Sequence, residues 1–288
     1  MCPTPPAGTP CRGGTAHYPH PMGDAARRWR ERQSARGIPE RILRDAPADP
    51  WTHATADFTP PETPADTPSR RAARALAERA AAWTCTGASL LDVGCGGGEA
   101  AFGAAWPDPS PVARVVGTDR QADMLAVFAG TARDRGVPHG TVHGSWPEVA
   151  GAAGRHDVVV CHHVLHNVVD LPPFLAALTS AVRGGAGGVV VEMLPEHPMA
   201  WLDPLWERFH NLQRPASATA DDAVAVLGEE LGTEPEVHRW ERDRRLPHDA
   251  AWVARRLCLP ADRVPEVEEA LTGIPPRPTA VVTLVWTP

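Results

Sequence analysis

Apolar residues fall into two rhythms along this chain. Short continuous runs have no polar face: Ser89-Leu90-Leu91-Asp92-Val93, Arg114-Val115-Val116-Gly117-Thr118, Asp157-Val158-Val159-Val160-Cys161 and Gly188-Val189-Val190-Val191-Glu192-Met193. Strands covered on both sides of a sheet read this way. Between them the apolar positions step by three and four. Leu171, Phe174, Leu175, Leu178 and Val182 form one such stripe, closed by Gly184-Gly185, and predict an amphipathic helix. Gln121 to Arg135, ending at Gly136, predicts another, and Thr67-Pro68-Ser69 opens a third with Ala72, Ala73, Leu76, Ala80 and Trp83 on one face. Thr141-Val142-His143, Val237 to Trp240 and Ala280 to Trp286 bring the strands to seven. Strands alternating with helices imply an α/β fold, a doubly wound and mostly parallel sheet with helices on both faces. Right-handed crossovers then set the carboxyl ends of the strands, and any ligand, along one edge.

The flanks break this rhythm. Residues 1–23 are rich in Pro, Gly and Thr and read as a disordered tail or an over-long translation start. Residues 24–66 read as a helical and extended cap. Asp24 is expected to cap a first helix and Gly37 to stop it; Ile38 to Leu43 suggests a second. Trp51 and Phe58 lie in the Pro-rich stretch that follows, and suit a segment lying over a pocket. The main domain runs over 67–288, with helical insertions near 199–232 and 249–273. Asp170 and Thr219 are expected as caps; Trp201, Trp206 and Phe209 recur at helical spacing and read as helix packing.

Composition narrows the partners. The 288 residues carry a formal net charge of -7, which argues against nucleic acid as the main partner. Every Lys+Arg residue is Arg, so Schiff-base lysine chemistry is excluded. Cys2, Cys11, Cys85, Cys95, Cys161 and Cys258 form no CxxC pair, which fits a reducing, cytoplasmic setting with no metal. No apolar run is long enough to span a bilayer, and the first residues lack the apolar stretch of a secretory signal.

The richest chemistry lies at Asp92-Val93-Gly94-Cys95-Gly96-Gly97-Gly98-Glu99. A strand enters a glycine turn and then a helix, and the glycines let backbone approach a ligand closely. The spacing resembles the first motif of class I, Rossmann-like S-adenosylmethionine-dependent methyltransferases, D-x-G-x-G-x-G. A dinucleotide fingerprint would need glycine where Glu99 stands, so a nicotinamide oxidoreductase is the poorest fit. The resemblance implies that Asp92, Gly94, Cys95, Gly96 and Gly98 hold the cofactor. About twenty residues on, Asp119 ends a strand, where an acid accepts hydrogen bonds from ribose hydroxyls; the resemblance assigns it that role, with Arg120 beside it. Ser145 stands where the family often has an adenine-binding Asp. Trp146 next to it is suited to stack on the base or, equally, to fill the core.

The segment Cys161-His162-His163-Val164-Leu165-His166-Asn167 resembles the family's stretch beside the reactive methyl. There His162 contacts the cofactor, mainly through its backbone. His163 and His166 are candidate general bases, because histidine titrates near working pH; the alternative is that they only line the pocket. His162 and His166 have the spacing of a metal pair, but no third ligand stands near. Glu192 and His197 follow the fifth strand and read as a solvated loop or as the acceptor side. The resemblance, strongest over 90–193, implies S-adenosylmethionine as cofactor, S-adenosylhomocysteine as product, and in-line transfer to an O, N or C atom of a small molecule, in the manner of secondary metabolism. A non-methylating reaction on the same cofactor, or a binding protein without turnover, are the alternatives.

Overall fold

A computed structural model describes residues 22–51, 55–58, 60, 65–84, 87–104, 110–242, 249–274 and 278–288. The expected tail, apart from Met22 and Gly23, lies outside the described residues, and so do Cys2, Cys11 and Cys85. The strands are β1 (Ala88–Val93), β2 (Val112–Asp119), β3 (His139–His143), β4 (Val158–His162), β5 (Gly188–Met193), β6 (Glu236–Arg242) and β7 (Thr279–Trp286). The α-helices are α1 (Asp24–Ala35), α2 (Glu40–Asp45), α3 (Pro68–Thr84), α4 (Glu99–Ala104), α5 (Ala122–Asp134), α6 (Ala150–Ala153), α7 (Leu171–Ser180), α8 (Asp203–His210), α9 (Ala220–Leu231), α10 (Ala250–Arg256) and α11 (Val264–Leu271).

The seven strands form one sheet in the order β3-β2-β1-β4-β5-β7-β6. Strands β1 to β5 pair in parallel, and β7 runs antiparallel between β5 and β6. Chain order reverses between β1 and β4, which is where an open α/β sheet leaves a crevice at its carboxyl edge.

Both faces of the sheet are covered. On one, α1, α7 and α9 bury Trp29, Phe174, Leu175, Ala223 and Leu227 against Val159 and Val191. On the other, α3, α4 and α5 bury Leu76, Phe102 and Phe128 against Leu90, Val115 and Val160. A third apolar cluster joins α2, α8, α10 and α11 through Ile42, Trp206, Val253, Leu257 and Val267. The expected insertions therefore divide: α8, α10 and α11 build this satellite core, whereas α9 joins the sheet's own layer. The buried Arg36 side chain ties the two by a bidentate pair with Asp203, at 2.7 and 3.0 Å.

Long-range partners overrule two expected caps. Asp24 is the first residue of α1 and pairs with Arg27. The N–H groups of Gly23 and Ala25 donate instead to Glu230 and Glu229 of α9, each at 2.7 Å, putting carboxylates at the positive end of α1. Asp170 makes no capping bond and pairs with Arg30. Thr219 does cap α9, in a reciprocal box with Asp222. Among the described residues no helix is long and apolar enough to cross a membrane.

Candidate active site

The turn from β1 into α4 is held by backbone. Gly94 and Cys95 both donate N–H to Thr118 O, at 2.9 Å each, at the end of β2. Gly94 has φ +68° and Gly98 φ +92°, in the region that favours glycine. A Cβ on Gly94 would run into Val164, and one on Gly98 into the Phe102 ring. Asp92 ends β1 with 1 % exposure. Its Oδ2 accepts the Ala101 N–H at 3.0 Å, so it clamps α4 onto the strand. Burial raises its pKa well above the ordinary value, against the smaller opposing effect of that bond.

Asp119 faces this turn. One carboxylate oxygen accepts the Gly96 N–H at 3.1 Å and the other the Gln121 N–H at 2.9 Å. Each keeps an unused lone pair. A cleft of about 720 Å³ opens along the carboxyl ends of β1, β2 and β4. It is lined by Gly94, Gly96, Asp119, Arg120, Ser145, Trp146, His162 and His163. Trp146 leans on the core and donates its indole N–H to Phe174 O at 3.3 Å. Trp51 and Phe58 also line the cleft, and Phe58 comes within 3.3 Å of where a Gly96 Cβ would stand.

A smaller recess of about 90 Å³ adjoins the glycine turn. Asp92, Cys95, Arg70, Glu99, Glu192 and Arg242 line it, together with His162 and His163. Cys95 is buried and its thiol is pushed up by burial, so it is no nucleophile. Gly98 and His166 line neither cavity; Gly98 acts through the turn.

The histidines after β4 differ sharply. His162 is half-buried, and its Nε2 is shut off from solvent with no partner. Burial pushes its pKa down to about 4, so it is neutral at pH 7. His166 is 4 % exposed, and its Nε2 accepts the Leu194 N–H at 3.1 Å. Burial lowers it to about 3. It fixes the loop after β5 and does not reach the cleft. His163 lines the cleft with φ +59°, a conformation costing a non-glycine residue on the order of 1–3 kcal/mol. Its N–H donates to Glu192 O at 2.7 Å and its Nε2 lies 2.9 Å from Glu192 Oε1.

Glu192 corrects the sequence reading. It is not in a solvated loop after β5 but inside the strand, at 1 % exposure. Ser69 Oγ donates to its Oε2 and Arg242 Nη2 to its Oε1, both at 2.5 Å. Burial alone would raise its pKa; His162, His163 and Arg242 together hold it below the ordinary value. Ser69 Oγ also lies 2.7 Å from Thr283 Oγ1, which accepts the Trp240 indole N–H at 3.0 Å. Sequence reasoning missed Ser69, Arg70, Trp240, Arg242 and Thr283. The available signal was an acid in an otherwise apolar strand, which demands buried partners. His197, half-buried, uses Nδ1 to accept the Met199 N–H at 3.1 Å, a loop-bracing role.

Residues 91–190 match the family described as the methyltransferase domain. That segment, about a third of the chain, is similar to a methyltransferase domain. Beyond it, the chain is similar to the ubiquinone biosynthesis O-methyltransferase of Sodalis glossinidius (strain morsitans), 37 % identical over 117 residues, 40 % of this chain and 45 % of that one. The protein of the same description from Escherichia coli O9:H4 (strain HS) is 32 % identical over 157 residues, 54 % of this chain and 62 % of that one. The chain thus spans about half the length of the curated relatives it matches. Among solved structures, the plantazolicin methyltransferase BpumL in complex with SAH aligns with TM-score 0.49 and 13 % identity, covering 91 % of this chain and 99 % of that one. Within the matched segment fall the glycine turn, Asp119, Ser145, Trp146 and the three histidines. Glu192 and its partners Ser69, Arg242 and Thr283 lie outside it.

Proposed function

We propose that the chain is an S-adenosylmethionine-dependent methyltransferase acting on a small molecule, with in-line transfer to an oxygen, nitrogen or carbon atom. One observation carries this reading: a glycine turn with no room for side chains is bridged by hydrogen bond to the acid of the neighbouring strand. The bridge leaves Asp119 with lone pairs toward the cleft for two ribose hydroxyls. Ser145 and Trp146 then border the adenine, and Gly94, Gly96 and the unpartnered His162 Nε2 border the amino-acid half. S-adenosylmethionine would supply a methyl group already activated on a sulfonium. The chain's own task is to orient an acceptor behind that methyl and exclude water. His163 is the residue placed to take a proton from the acceptor; His166, held by Leu194 N–H, is not.

Trp51 and Phe58, at the cleft, support a covering role for the segment that carries them. The relatives' printed role is O-methylation in ubiquinone biosynthesis. It favours a hydroxyl acceptor over the secondary-metabolite acceptors that the sequence resemblance implies. Binding of S-adenosylhomocysteine by calorimetry tests the reading. Asp119→Asn should weaken it at least tenfold, since charged hydrogen bonds contribute about 1.5–3 kcal/mol each. Equal affinity in wild type and variant, or no binding by wild type, would rule the reading out.

A further inference from the structure

Glu192 is almost fully buried and engaged by three side chains, none of which the cofactor reading assigns to the ribose or the adenine. Three donors from three elements meet on it: Ser69 at the start of α3, Arg242 at the end of β6 and His163 after β4. A fourth link, from the His163 backbone to Glu192 O, doubles the hold on that one histidine. The same two contacts keep His163 at φ +59°. Strain maintained by converging partners is characteristic of functional positions.

We infer that Glu192 is a positioning residue for proton removal: it fixes His163 as the Nε2–H tautomer and leaves Nδ1 as the basic nitrogen of a ring that lines the cleft. This rests on the methyltransferase reading above. An ionised carboxylate only accepts, so the ring nitrogen 2.9 Å from it must be the donor. In a neutral imidazole the other nitrogen is then the lone-pair acceptor. Nδ1 has no partner among the described residues. When an acceptor hydroxyl reacts, its O–H bond breaks and the proton forms a new N–H bond at Nδ1; the electron pair left on oxygen would form the new bond to the methyl carbon while the carbon–sulfur bond breaks and its pair goes to sulfur, which leaves as a neutral thioether. The positive charge gained by the ring sits against Glu192, which already carries the opposite charge. The imidazolium returns its proton to solvent after product leaves.

The chemistry selects the acceptor class. A neutral amine attacks through a free lone pair and needs no base beforehand, whereas a phenol or alcohol must lose a proton. The dyad of a cleft-lining histidine and a buried carboxylate therefore fits a hydroxyl acceptor. Arg242 and Ser69 serve the dyad by occupying the remaining carboxylate lone pairs. The hydroxyl chain Trp240–Thr283–Ser69 fixes Ser69 in turn.

The test is nitrogen NMR of the imidazoles in the full chain with S-adenosylhomocysteine present. The His163 ring should show Nε2 protonated and Nδ1 bare at neutral pH. The groups facing it are Glu192 from β5, Arg242 from β6, Arg70 from α3, Glu99 from α4 and the neutral His162 and His166. Glu192→Gln removes only the negative charge that the imidazolium formed in proton transfer would face. It should lower kcat for a phenolic acceptor about tenfold, while affinity for S-adenosylhomocysteine stays within about twofold. A protonated Nδ1 in wild type overturns the proposal, as does an unchanged kcat for the phenolic acceptor in a folded variant. Should the variant not fold, the wild-type tautomer decides alone. Failure of wild type to bind S-adenosylhomocysteine would instead strike the methyltransferase reading, and leaves the tautomer result standing.

Discussion

The carboxyl ends of β1 and β5 each carry one acid at 1 % exposure, Asp92 and Glu192, on either side of β4. Burial is equal; partners are not. Asp92 has a single backbone N–H and no cation in contact, and its pKa is raised. Glu192 has a guanidinium, an imidazole and a hydroxyl, and its pKa is lowered. Desolvation favours the neutral acid in both cases; one backbone N–H does not reverse it at Asp92, whereas the charged partners of Glu192 do. The β1 end is thus a mechanical clamp that shapes the glycine turn. The β5 end is a charged bearing that orients a histidine.

The largest expected effect comes from truncating the charged end. Glu192→Ala leaves Arg242 and His163 facing an emptied site and should destabilise the fold by about 3–5 kcal/mol, read from urea unfolding. If the loss is no greater than for Asp92→Asn, the two acids are equivalent and the contrast fails.

The acid limb of stability separates them by sign. Glu192 has a lowered folded pKa, so its contribution is present above the ordinary value of 4.5 and fades as pH falls through the folded value. Asp92 has a raised folded pKa: the folded state keeps a proton the unfolded chain releases above 3.8, so stability falls as pH rises from there. Relative to wild type, Glu192→Gln should lose its deficit as pH falls below 4.5. Asp92→Asn should gain on wild type above pH 3.8. Each limb has a slope of at most about 1.4 kcal/mol per pH unit. Slopes of the same sign in urea titrations between pH 3 and 7 would overturn the assignment of charge.

Two smaller effects sharpen the picture. Ser69→Ala removes one of the bonds to Glu192 and should cost about 1–2 kcal/mol, without weakening S-adenosylhomocysteine binding in calorimetry. Asp92→Asn, a near copy of a protonated acid that can still accept the Ala101 N–H, should change stability by less than about 1 kcal/mol below pH 3.8, where wild-type Asp92 carries its proton in both the folded and the unfolded chain. A larger loss would mean that Asp92 is held ionised.

Much of this molecule was legible because local pattern and final environment agree. The runs at 89–93, 158–161 and 188–191 are apolar on both faces and became central strands. The glycine turn and Asp119 were legible because their spacing is set by one strand–helix–strand unit. What stayed hidden depends on partners far along the chain. Asp24 carries the side chain of an ordinary cap, but Glu229 and Glu230 arrive from α9 and take its N–H groups. Glu192 read as the polar end of a strand because Ser69 and Arg242 lie 123 and 50 residues away. His163 and His166 have the same side chain three residues apart. Only the surrounding fold, through Leu194 N–H and Glu192, tells a loop brace from a cleft base.

The antiparallel insertion of β7 makes one half of the crevice depend on the far end of the described sheet. In that sheet β6 joins only through β7, which it precedes in sequence by two helices. Arg242 and Trp240 therefore owe their places to a later strand, paired with β6 on one side and with β5 on the other. The glycine turn and Asp119 belong to the contiguous early half. The two ends of the crevice thus answer to different spans of the chain: a change confined to the closing strand can unseat the charged bearing without altering any residue of the glycine edge.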